Sequence, residues 1–115
     1  MDNALRNEIE ITLAGEKRIM RASFSAILAI EKALGKSMTA IINQVAAGDI
    51  SITDSALIIY HGLVGNKDTR LSFEQVGDAI LEAGMGAVSI PVVEFVSRSL
   101  NGVTVGKPEG AAAPQ

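Results

Sequence analysis

At 115 residues the chain has room for one domain of ordinary size, and it is 48% hydrophobic but only 3% aromatic, with neither tryptophan nor cysteine. Disulfides, thiolate chemistry and cysteine-based zinc sites are excluded, and the core must be packed from Ile, Leu, Val, Ala and Met. Thirteen acidic residues against ten basic ones give a net charge of −3, which offers a phosphate backbone no long-range attraction.

Met1 to Glu8 carries Asp2, Arg6 and Glu8 instead of the basic stretch and apolar run of a secretory signal. Residues 1–7 therefore read as a flexible N-terminus, and the protein as cytoplasmic. From Glu8 to Leu13 apolar and polar residues alternate, placing Ile9, Ile11 and Leu13 on one face of a strand. Ala14-Gly15-Glu16 supplies a tight reversal, and Lys17 to Ala22 sets Arg18, Met20 and Ala22 against Lys17, Ile19 and Arg21 in a second, weaker alternation. Two strands are marginal alone, so helices must cover the apolar face of this hairpin.

Ser23 or Ser25 caps a first helix over Phe24 to Leu34, and Gly35 stops it. A second, short helix follows Ser37 and carries Met38, Ile41, Ile42 and Val45 to Ala47 before Gly48-Asp49. Thr53 and Asp54 mark the start of a third, in which Ala56 to Tyr60, Leu63 and Val64 leave almost no polar face, so it is expected at the centre of the fold. Its apolar run is less than half the ~20 residues of a membrane span and contains His61 and Gly62, so no membrane association is expected. After the polar turn Gly65 to Asp68, Ser72 and Gln75 form a capping box for a fourth, amphipathic helix, Phe73 to Ala83. Gly84-Met85-Gly86 breaks the pattern before a last helix from about Ala87 to Leu100, with Pro91 near its first turn. The sequence thus predicts an α+β, mainly α domain over residues 8–102, an N-terminal β-hairpin followed by about five short helices around one core. Residues 103–115 are too poor in bulky apolar groups to fold and read as a disordered tail.

Chemistry-bearing motifs are few. Gly35-Lys36-Ser37 resembles the end of a phosphate-binding loop, but Ile30 stands where that loop needs its first glycine. Gly84 and Gly86 lack the third glycine of a dinucleotide fingerprint and follow a helix, where the fingerprint must follow a strand. His61 lies on the most apolar helix without a local partner for a catalytic dyad, so no catalytic set, cofactor or metal is expected. Lys17, Arg18 and Arg21 read as edge protection for the hairpin. Glu74, Asp78 and Glu82 recur every four residues and stack three like charges along one side of the fourth helix, either a solvated face or a docking surface for a basic partner. That same stripe disfavours a helix-turn-helix DNA binder, which would present Arg, Lys, Asn or Gln to the groove. No nucleic-acid partner is expected.

In order along the chain, the hairpin, the segment Phe24 to Ser37 with Glu31 and Gly35, Ile52-Thr53-Asp54, Gly62-Leu63 and Leu71 to Val76 resemble a known pattern. It is that of the small tail assembly proteins of phages and gene transfer agents, a family labelled both tail tube protein and tail assembly chaperone. The resemblance covers about residues 8 to 100. It implies a non-enzymatic chaperone that binds the unassembled tape-measure protein and helps tail-tube subunits gather around it in the bacterial host cell, with self-association as a further expectation. Glu74, Asp78 and Glu82 are the candidate partner-binding residues. A structural subunit of the tail is the alternative; a tube wall normally needs larger sheets than one hairpin.

Overall fold

A computed structural model describes residues 7–101. Its elements are β1 (Glu8–Leu13), β2 (Glu16–Arg21), α1 (Phe24–Leu34), α2 (Met38–Ala46), α3 (Ile52–Gly65), α4 (Phe73–Ala83) and α5 (Met85–Asn101). This is the expected α+β, mainly α architecture. The segments read as flexible (residues 1–7) and as a disordered tail (residues 103–115) lie outside the described residues, apart from Asn7, whose carbonyl accepts the Ala22 N–H at 3.0 Å.

The strands pair antiparallel, Leu13 opposite Glu16, Ile11 opposite Arg18 and Ile9 opposite Met20. A two-residue turn with positive φ at both Ala14 (53°) and Gly15 (78°) joins them. That is the turn whose twist matches the right-handed twist of the strands, and glycine suits it where alanine does not. Ile9, Ile11, Leu13 and Met20 are buried together on the face that the helices cover. α3 lies against β2, α1 and α4, while α5 packs on α2, β1 and α4. Ile58, Ile59 and Leu63 of α3 are fully buried, as its missing polar face predicts. Phe95 of α5 is the largest side chain so enclosed.

Four helices open on a serine whose hydroxyl accepts a backbone N–H three residues on: Ser23, Ser37, Ser51 and Ser72. Each cap satisfies one of the helix's orphan donors. Ser72 and Gln75 complete the capping box in both directions. Two expectations are corrected. Helix α3 is capped by Ser51, not Thr53, because Ser51 alone has the extended backbone of a cap and accepts the Asp54 N–H at 3.0 Å; Thr53 already lies in the first turn. Helix α5 begins at Met85, directly after Gly84, so Gly86 is helical and Pro91 falls inside the helix. Pro91 has no N–H for the Ala87 carbonyl one turn earlier, and the helix runs on through that missing bond.

Candidate functional site

Helix α4 sorts its side chains by the 3.6-residue turn. Val76, Ala79 and Ile80 are buried, and Glu74, Asp78 and Glu82 are exposed on another side, as the four-residue spacing predicts. Among the described residues none of the three acidic side chains makes a salt bridge. Between the buried and acidic sides runs a third row, Phe73, Gly77 and Leu81, which the sequence reading did not single out. Leu81 is 65% exposed.

This row faces the start of α3 across a shallow groove of about 240 Å³ lined by Ile52, Thr53, Ala56, Phe73, Glu74, Gly77, Asp78 and Leu81. Its walls are apolar and two of the predicted carboxylates, Glu74 and Asp78, belong to it. Glu82 stands one turn beyond and does not line it. Phe73 is held edge-on against Tyr60, ring centroids 6.1 Å apart. The signal that could have exposed the groove was Leu81, which is bulky, apolar and out of phase with the buried positions of α4.

The basic residues near the hairpin turn part company. Lys17 points outward and pairs with Glu10 at 3.5 Å. Arg18 turns to the covered face and is only 6% exposed, a correction to its reading as edge protection. Its Nε donates to the Leu13 carbonyl at 3.1 Å, and its guanidinium lies 3.2 Å from a Glu16 carboxylate oxygen and 3.9 Å from Asp68. Asp68 in turn accepts two side-chain hydrogen bonds from Arg70, at 3.0 and 2.8 Å. Those bonds hold the Asp68 carboxyl below its ordinary pKa, with smaller help from the charge of Arg18. This network ties the hairpin turn to the α3–α4 connection, and with Lys17, Lys67 and Thr69 it borders a polar recess of about 340 Å³. The turn from Gly65 to Asp68 therefore carries an anchor that the sequence reading passed over.

His61 is half-buried, edge-on to Tyr60 at 5.2 Å, and its burial lowers its pKa. Among the described residues no group of three or more His, Asp or Glu side chains is placed to hold a metal ion. No helix among them is long and apolar enough to cross a membrane. A second apolar recess, about 260 Å³, lies between α2, α3 and α5 beside Val45, Ile50, Met85 and Val92.

No curated protein and no solved structure matches the chain. One family model does, over residues 6–102, a span that takes in every element from β1 to α5. With most of its length matched, the chain belongs to the phage tail tube protein family described as GTA-gp10.

Proposed function

We propose that the protein is a tail assembly chaperone, one that binds the tape-measure protein before assembly and helps tail-tube subunits gather around it. The observation that carries this reading is the balance of the fold. Among the described residues the sheet has two strands, too few for the continuous wall of a tube, whereas the helices leave an apolar groove open at the surface. Helices in grooves are a common mode of recognition for largely helical partners. The protein acts in this reading by binding, in the host cytoplasm where tails assemble, and no catalytic residue, cofactor or metal enters it.

The test is co-expression with the product proposed as its partner, the tape-measure protein. The soluble fraction of that product should rise with this protein present, and no change would end the chaperone reading. The family's description as a tail tube protein favours a second reading, a permanent tail subunit. Antibody labelling of purified tails separates the two, since a chaperone leaves the finished particle and a subunit stays.

A further inference from the structure

We propose that the α3–α4 groove seats one amphipathic helix whose apolar ridge is flanked by lysine or arginine, and that the backbone of this helix crosses α4 at Gly77. The inference rests on the chaperone reading for its biological partner, but its physical grounds are separate. Glycine within a helix costs stability relative to alanine, so one that persists needs a reason. At two other helical glycines the reason is internal: a Cβ at Gly62 would meet Met20 at 3.0 Å, and one at Gly65 would meet the Arg21 carbonyl oxygen at 2.5 Å, while Gly86, with open space around it, sits in the exposed first turn of α5. A Cβ at Gly77 would meet nothing within 4 Å. The chain's own packing does not require that glycine. It lies between Phe73 and Leu81 in the groove wall, where a missing side chain lets an outside backbone come close.

Size and charge narrow the occupant. At about 240 Å³ the groove is smaller than the roughly 300–1,000 Å³ of small-molecule pockets, and suits the anchoring side chains of a helix. Among the described residues Glu74 and Asp78 are the only charged ones that line it, and Glu82 extends the same sign by a turn, so the complementary partner is basic beside its apolar ridge. A second copy related by two-fold symmetry would bring this acidic stripe against itself. Residues 102–115 offer one lysine, Lys107, and no arginine.

The probe is a labelled 18-residue peptide with leucines at helical spacing on one face and lysines elsewhere, paired with a twin in which glutamates replace the lysines. Fluorescence anisotropy with the full chain should show the lysine peptide binding at least tenfold more tightly than its twin. Gly77→Leu, which fills the crossing point, should weaken the lysine peptide at least tenfold while leaving the circular dichroism spectrum unchanged. Gly77→Ala should raise Tm by about 2–8 °C and still weaken binding. The triple reversal Glu74→Lys, Asp78→Lys and Glu82→Lys lies on exposed positions and should invert the peptide preference, which keeps the test decisive if Gly77→Leu does not fold.

Equal affinity for the two peptides, or unaltered binding in folded Gly77 variants, overturns the proposal. So does self-association of the wild-type chain that Gly77→Leu abolishes, which would assign the groove to a second copy. Peptide binding judges the groove alone. The chaperone reading falls separately, if wild-type protein leaves the tape-measure product insoluble.

Discussion

Consider adding one methyl group at Gly65, the last residue of α3. The new Cβ would stand 2.5 Å from the Arg21 carbonyl oxygen, 3.0 Å from Ala26 Cβ and 3.1 Å from Ser23 Oγ. The nearest of these belongs to the backbone at the end of β2, and Ser23 is the cap of α1, so relief requires moving α3 away from the corner where strand and helix meet. Overpacking of this kind costs about 1–3 kcal/mol. Alanine's helix preference returns at most about 1 kcal/mol, less at a terminal position. Gly65→Ala should therefore lose about 1–2 kcal/mol, a fall in Tm of roughly 5–15 °C for a domain of this size. Thermal unfolding followed by circular dichroism measures it, with Gly77→Ala as an internal control of opposite sign. An unchanged or raised Tm in Gly65→Ala would refute the claim that this glycine sets the approach of α3 to the hairpin.

Ala14 adopts φ 53°, a conformation that asparagine tolerates better, so Ala14→Asn should add up to about 1 kcal/mol, read as a higher urea midpoint with unchanged slope. Acidification should destabilise the fold in two stages. The lowered pKa of His61 means the unfolded chain takes up its proton first, so stability present above about pH 6.5 declines below it. The lowered pKa of Asp68, held by Arg70, preserves stability above about pH 4 that is lost as pH falls further. His61→Gln should remove the first stage and Asp68→Asn the second in urea titrations across pH. Ile59→Asp puts a carboxylate at a fully buried position of α3 and should abolish cooperative folding, visible as loss of amide dispersion in an NMR spectrum.

What was legible in the sequence was what local chemistry encodes. The alternation Ile9, Ile11, Leu13 fixes the buried face of β1, and the Ser72–Gln75 box fixes the start of α4, because each depends on residues a few positions apart. The same holds for Gly35, which caps α1 at φ 69°. Ambiguity arose where local signals compete. Ser51 and Thr53 are both good caps, and the choice falls to whichever backbone is extended. Gly86 looked like a break, but a glycine in an exposed first turn is tolerated, and α5 runs two residues longer at its start. The acidic stripe was readable from its spacing, yet the groove beside it was not, since Ile52 and Phe73 come to line one groove only when α3 and α4 pack. Arg18 was misread for the same reason: beside the nearby Glu16, its second carboxylate neighbour, Asp68, is fifty residues away in sequence.

The Arg98 guanidinium donates to the Glu8 carbonyl at 3.3 Å, and α5 covers the strand made first. During translation the hairpin is complete at Arg21, while the helix that shelters it is finished only about 80 residues later. At roughly 5–20 residues per second that is an interval of about 4–16 s. Throughout it, Ile9, Ile11 and Leu13 lack part of the cover that buries them in the finished protein. A ribosome stalled anywhere before Phe95 should therefore hold a nascent chain that proteases cut readily, with protection arriving only when α5 has cleared the exit tunnel. Until that moment, a protein proposed to shield another from premature association is itself in need of shielding.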